Sequence, residues 1–204
     1  DRFDAVGVSP DGSKIFAVGG TTTGSGTSAI LVVSLAAPSG TPQWTVRRAA
    51  TAPGFAQGNA LSVGPGGARI FVTGTDQRAT GARDWIVLAY RVTDGTTAWV
   101  RHFGGTANEN DTARASAIRP DGTRLFVTGS VKNTGTDYDG RTVALSPTNG
   151  ATVWDRTENG AANLTDWLVE ITIGPAGGRV FVTGATQTGV FLAPRSALTI
   201  AYAS

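Results

Sequence analysis

RIFVTG, residues 69–74, decides the fold, because the chain states it four times. Residues 14–19 read KIFAVG, 124–129 read RLFVTG and 179–184 read RVFVTG. Their central phenylalanines, Phe16, Phe71, Phe126 and Phe181, follow one another at intervals of 55 residues. Pro10, Pro65, Pro120 and Pro175 keep that interval, as do Gly12, Gly67, Gly122 and Gly177. Gly40, Gly95 and Gly150 keep it again, followed by Trp44, Trp99 and Trp154. A unit repeated at fixed spacing is a supersecondary module that buries its apolar surface by stacking on its neighbours.

Working outward from the hexapeptide, each unit reads as four short strands. In the third unit they span 115–118, 125–128, 142–145 and 152–156. The first two are joined by RPDGTR, in which proline presets φ and Asp-Gly supplies a tight turn, and the last two by SPTNG. Long polar loops, SVKNTGTDYD and ENGAANLTD, connect the second strand to the third and one unit to the next. GPGG, residues 64–67, aligns with the PDG turns and reads as a hairpin, not a phosphate loop. Along the first strands, Val6 and Val8 alternate with Ala5 and Gly7, and Leu61 and Val63 with Ala60 and Ser62. Sheets bulky on one face and small on the other suit face-to-face stacking. The fold class is therefore all-β: β-propeller blades of four antiparallel strands, in four repeats covering 1–57, 58–111, 112–166 and 167–204 as a single domain. The four phenylalanines are expected in the core.

PDGTRLFVTG and the VALSPTNGATVW that follows resemble the repeats of bacterial β-propellers of the YVTN and quinoprotein-like (PQQ-like) groups. LAYRVTDGTTAW, residues 88–99, carries the same pattern, and VSLAAPSGTPQW, residues 33–44, a looser form. The resemblance covers nearly the whole chain. It implies that Trp44, Trp99 and Trp154 dock adjacent blades, and that the aspartate before a third strand, Asp84 or Asp139, is a recurrent repeat feature. It specifies a fold and not a function, because such propellers serve as scaffolds, enzymes and binding modules.

Composition agrees with the fold and narrows the rest. The 204 residues include 28 glycines and only 16% charged residues, so good helix formers are scarce. Seventeen basic residues against fifteen acidic ones give a net charge of +2 without a basic run, which is no electrostatic footprint for nucleic acid. No apolar run is long enough for a membrane span. With no cysteine, there are neither disulfides nor thiolate chemistry. With no methionine either, little is left to oxidise, and the expected location is extracellular or periplasmic. The Arg-over-Lys, Ala/Gly/Thr-rich usage resembles that of a high-GC bacterial genome.

Beginning at Asp1, the chain reads as a mature, processed or excised polypeptide. LTIAYAS, residues 198–204, matches IVLAYRV, residues 86–92, so the fourth repeat lacks its outer strand and the total is fifteen strands. Two arrangements fit: a closed ring of four blades, in which Ala5 and Gly7 pack on the fourth, or part of a larger ring of ~7 or 8 blades completed by a second chain or copy. The second is favoured.

Ligand-facing residues are expected on the long loops. The candidate binding set is Arg83, Asp84 and Trp85 from the second repeat, with Asn108, Glu109 and Asp111 from the loop that follows it. Asp137, Tyr138 and Asp139 join from the third repeat, and Asp166 and Trp167 from the start of the fourth. Trp85 and Trp167 fall outside the periodic tryptophan position; they either stack on a sugar or peptide or cap strand ends over the core. Asp137-Tyr138-Asp139-Gly140 alternates oxygens like a calcium loop but lacks the glutamate that closes one, so loop chemistry is the expected reading and no cofactor is assigned. His102, the sole histidine, is expected to be solvated on an outer strand, and no serine lies in a nucleophile elbow. The expected function is a secreted scaffold that binds a protein or glycan. The alternative is an enzyme using loop carboxylates with a bound metal or quinone.

Overall fold

The computed structural model describes residues 1–22, 26–189 and 195–204. Among these residues fifteen strands form four antiparallel sheets, each a simple meander. The first holds β1 (Arg2–Val8), β2 (Lys14–Thr22), β3 (Ser28–Ala36) and β4 (Pro42–Ala49). The second holds β5 (Ala56–Val63), β6 (Arg69–Gln77), β7 (Arg83–Arg91) and β8 (Thr97–Phe103). The third holds β9 (Thr112–Ile118), β10 (Leu125–Lys132), β11 (Tyr138–Leu145) and β12 (Thr152–Glu158). The fourth has β13 (Asp166–Ile173), β14 (Arg179–Gln187) and β15 (Arg195–Ala203). The first strand of each sheet packs against the first three strands of the sheet before it, so successive sheets fan out as blades from a line of inner strands. The chain is a β-propeller, three four-stranded blades and one of three.

The strands outrun their apolar cores, always at the long-loop end. Gly129, Ser130, Gly140 and Arg141 give no hydrophobic pattern, yet the ladder continues through the pairs Gly129–Arg141 and Ser130–Gly140. Close to that end, each inner strand skips one residue against its neighbour: Asp4, Asn59, Arg114 and Val169 are left out of the register. The glycine that closes each hexapeptide lies opposite this bulge. A Cβ on Gly129 would sit 2.1 Å from the Thr112 carbonyl oxygen, and one on Gly74 would sit 2.0 Å from that of Gln57. Only glycine admits so close a backbone approach.

Between blades the hexapeptide phenylalanine meets the periodic tryptophan of its own sheet: the ring centroids of Phe16 and Trp44 are 6.0 Å apart and those of Phe71 and Trp99 are 5.9 Å apart. Together they cover the aliphatic face of the next blade. Phe16 and Trp44 pack with Ile70, Val72, Leu88 and Tyr90 in one cluster. Each indole also donates to a turn carbonyl of the following blade, Trp44 Nε1 to Val92 at 3.0 Å and Trp99 Nε1 to Pro147 at 3.0 Å. The tryptophans dock adjacent blades, as the resemblance to other propeller repeats implies.

Among the described residues the stack does not close on itself. Gly7 lies against Leu61 and Val63 of the second blade, so the small side of β1 faces forward rather than toward the fourth blade. The bulky side is uncovered: Phe3, Val6 and Val8 are 52%, 69% and 55% exposed. At the other end Phe181 is 36% exposed, whereas Phe16, Phe71 and Phe126 are buried beneath the next blade.

The glycine constraint is testable on an otherwise intact core. Gly129→Ala is expected to destabilise the protein by about 2–3 kcal/mol through forced separation of β9 and β10. Gly135→Ala, in open space but at positive φ, is expected to cost less than half as much. Comparable urea midpoints for the two variants would refute the close-approach argument.

Candidate functional site

Tight turns occupy one end of the blades. In the third, Asp121 accepts the Thr123 amide and hydroxyl, and the Gly122 amide donates to Arg119. The GPGG stretch is such a turn, with Gly67 donating to Gly64 at 2.9 Å. The long loops gather at the opposite end and are knitted to one another. The Thr106 amide donates to Asn133, the Thr134 amide to the Thr106 hydroxyl, and the Asn163 side chain to the Gly135 carbonyl. Asn108 and Asn163, one period apart, both adopt left-handed backbone with φ near 54°. Asparagine tolerates this conformation better than other non-glycine residues, and it turns both interblade loops alike.

Three of the expected binding carboxylates are buried beneath this collar. Asp111, 2% exposed, accepts the Gly105 amide at 2.6 Å and the Lys132 amide at 2.7 Å, which ties the interblade loop to the end of β10. Burial pushes its carboxyl up to about 6 against the pull of those two amides. Asp166, one period later, accepts the Gly160 amide, and Asp139 accepts from the side chains of Asn133 and Thr136. Asp137 instead receives the Lys132 ammonium at 2.9 Å and the Thr165 hydroxyl at 2.6 Å. Asp137 and Asp139 are thus directed to different partners. Among the described residues, no three Asp, Glu or His side chains gather in a metal-holding cluster.

Trp85 is wholly buried, its indole donating to the Ser130 carbonyl at 3.0 Å. That makes it a core residue and removes it as a stacking platform. Of the two readings of this off-period tryptophan, the strand-end cap over the core holds, because the ring points into the cleft between the second and third blades. There Arg141 covers it at 5.9 Å while holding Asp155 through two nitrogens. Trp167 is half-buried, with the Arg195 guanidinium 4.4 Å above its ring. Arg83 rests on Phe55 at 4.3 Å, and Asp84 pairs with Arg78 at 3.3 Å. Burial raises the Asp84 carboxyl, with Arg78 and His102 opposing. Tyr138 is half-buried with the Lys132 ammonium 5.4 Å from its ring, and Asn108 and Glu109 are exposed.

His102 is not simply solvated. Its Nε2 lies 2.8 Å from the Asp76 carboxylate, which is fully buried and also takes the Thr51 amide at 2.9 Å. Burial opposes ionisation of Asp76, but His102, the two Thr51 bonds and Arg48 outweigh it and hold the carboxyl below the ordinary range. The other repeats place Thr21, Val131 and Thr186 at this position. That break in the repeat was the available signal.

No family model matches the sequence, and no curated protein of similar sequence is found. Solved structures do match in fold. BamB from Moraxella catarrhalis superposes with a TM-score of 0.55 at 19% identity, over 91% of this chain and 49% of that one. The WD40 repeats of RRP9 give 0.57 at 15% identity, over 88% and 47%. The β-propeller domain of the trilobed protease from Pyrococcus furiosus, described as having an open velcro topology, gives 0.56 at 7% identity, over 100% and 56%. The chain therefore spans about half the length of these propellers, and they define its architecture. No helix among the described residues is long and apolar enough to cross a membrane.

The buried Asp111 makes a signed prediction. Its folded value, about 6, lies above the 3.8 of an exposed aspartate, so between these pH values the folded protein holds a proton that the unfolded chain releases. Its contribution to stability is present at low pH and declines as pH rises through that window, by on the order of 2 kcal/mol. Urea midpoints of wild type and Asp111→Asn, compared at both ends of the window, are expected to shift against the wild type as pH rises; a constant difference would show that the carboxyl is not raised.

Proposed function

We propose that the protein is a scaffold that binds a protein partner through the loop collar, with Asn108, Glu109, Asp137 and Tyr138 as the principal contacts and Lys132 beside them. The observation that carries this reading is the anchoring of the collar. Buried Asp111, Asp139 and Asp166 fix the loops from beneath, leaving the exposed tips polar and preformed. A surface already ordered loses less entropy on binding. The surface suits a protein better than a sugar, because Trp85 offers no ring face and the Trp167 face is occupied by Arg195. The repeats are assigned on their motifs to the YVTN and quinoprotein-like group. An extracellular or periplasmic setting fits a chain without cysteine or methionine.

A triple variant, Asn108→Ala, Glu109→Lys and Tyr138→Ala, tests the assignment. Proteins retained on the immobilised wild type are identified by mass spectrometry, and the affinity of the purified partner is measured for both forms. The variant is expected to bind at least about tenfold more weakly with an unchanged thermal midpoint. Equal affinity would overturn the collar as the binding surface, and a glycan-array signal without a protein ligand would overturn the partner class.

A further inference from the structure

We propose that the turn end of the blades, opposite the collar, is a second docking surface, and that it takes an extended acidic segment of a partner protein whose carboxylates meet cations carried one per blade. This goes beyond the loop-collar reading and uses none of its residues.

The cations belong to the repeat. The residue that opens each hexapeptide is basic in all four units: Lys14, Arg69, Arg124 and Arg179. None of the four is buried, so packing of the strand does not require them. Docking between blades accounts for one: Arg69 Nη1 donates to the Pro147 and Thr148 carbonyls of the third blade at 2.9 and 2.8 Å. Lys14 bonds Gln43 of its own blade, and Arg124 donates to the adjacent Thr123 carbonyl at 2.8 Å. All these acceptors are neutral, so the positive charges stand uncompensated.

Arg91, which ends β7, and Arg119, which follows β9, lie at the same end. The six cations stand against three carboxylates, Asp11, Asp94 and Asp121, so this end carries +3 while the whole chain carries +2. The carboxylates are bent onto their own turns, accepting the amides of Ser13, Thr96 and Thr123 at 3.1, 2.9 and 3.0 Å. Among the described residues, Arg119 alone of the six has a carboxylate at ion-pair distance, Asp121 at 3.4 Å. At the collar end Arg48, Arg78, Lys132 and Arg141 each have one. Unpaired charge of one sign gathered at one end attracts partners of the other sign and orients their approach.

The surface is also grooved at the spacing of the repeat. Pro10, Lys14, Pro65 and Val92 line a groove of about 360 Å³ between the first and second blades. One period on, Pro65, Arg69, Phe71, Ile118 and Pro147 line another of about 370 Å³ between the second and third. Each sets a cation of the recurrent position beside an apolar wall, a combination that fits a peptide carrying both acidic and apolar side chains. An arginine fork suits a carboxylate, as Arg141 shows here by gripping Asp155 through two nitrogens. A nucleic-acid backbone fits less well, because its closely spaced phosphates would run over Asp11, Asp94 and Asp121.

The probe is a fluorescein-labelled peptide of repeating Glu-Leu, with Gln-Leu as its uncharged counterpart, read by fluorescence anisotropy against the 204-residue chain. Glu-Leu is expected to bind at least about tenfold more tightly than Gln-Leu, and more weakly as salt is raised. Lys14→Glu/Arg69→Gln is expected to weaken Glu-Leu at least about tenfold. Because Arg69 also holds a turn of the third blade, Lys14→Glu/Arg124→Glu tests the same face with no interblade bond removed, and the same loss is expected. Arg47→Glu/Arg156→Glu, at exposed positions on β4 and β12, makes an equal change in net charge away from the turns and is expected to leave binding within about twofold. Each variant is checked for an unchanged thermal midpoint. Equal binding of the two peptides, no binding of either, or equal losses in the turn-end and control variants overturns the proposal. Displacement of the peptide by oligothymidylate or phosphatidylserine vesicles at lower concentration than by unlabelled Glu-Leu overturns the partner class.

Discussion

Everything in this fold depends on how one sheet covers the next, and that contact is made by a phenylalanine on the second strand braced by a tryptophan on the fourth. Neither ring alone spans the aliphatic face of the following blade. Side by side, with centroids about 6 Å apart, they do, and the indole nitrogen fixes the angle by bonding a turn carbonyl across the gap. Apolar burial supplies the driving force without direction; the single indole bond supplies direction. Because the ring pair recurs at all three joints, and the indole bond at the first two, the protein is close to a one-dimensional array whose blades are stabilised chiefly by nearest neighbours.

Within each sheet the inner strand sets the geometry of the end from which the loops emerge. The bulge on each first strand and the glycine facing it bring two backbones closer than any side chain permits, at the end where the loops emerge. Rigid strand ends and buried aspartates then hold the loops from below. The same device that builds the scaffold thus prepares its loop surface.

Much of this was legible in the sequence because period is robust to local error. Phe16, Phe71, Phe126 and Trp99 announce their places by recurrence, and the structure buries them where the recurrence requires. Phe181 recurs equally well and is partly exposed, because periodicity records what a residue is built to touch and not whether the neighbour is present. The candidate site was less legible for a related reason. Asp111 and Asp166 look like surface chemistry in a linear reading of polar loops, yet both are buried, as are Trp85 and Asp139, for which a structural role was the competing reading. Loop composition shows polarity; it does not show which polar atoms face inward to meet backbone amides. The His102–Asp76 pair belongs to no repeat, and only the break at Asp76, where the other units have Thr21, Val131 and Thr186, pointed to it.

Near-identical joints carry a hazard of their own. A blade whose forward face fits any following blade can dock on the wrong one while the chain is folding, and tandem repeats are prone to such misassembly. The polar contacts across the joints differ from one to the next. Gln57 reaches Asp4 across the first, Asn59 reaches the Ala113 carbonyl and Ser62 meets Ser116 across the second, and Tyr202 donates to Glu158 across the third. A skipped blade leaves at least one of these groups without its partner. These bonds are weak as sources of stability, but they act as addresses that tell one joint from the next.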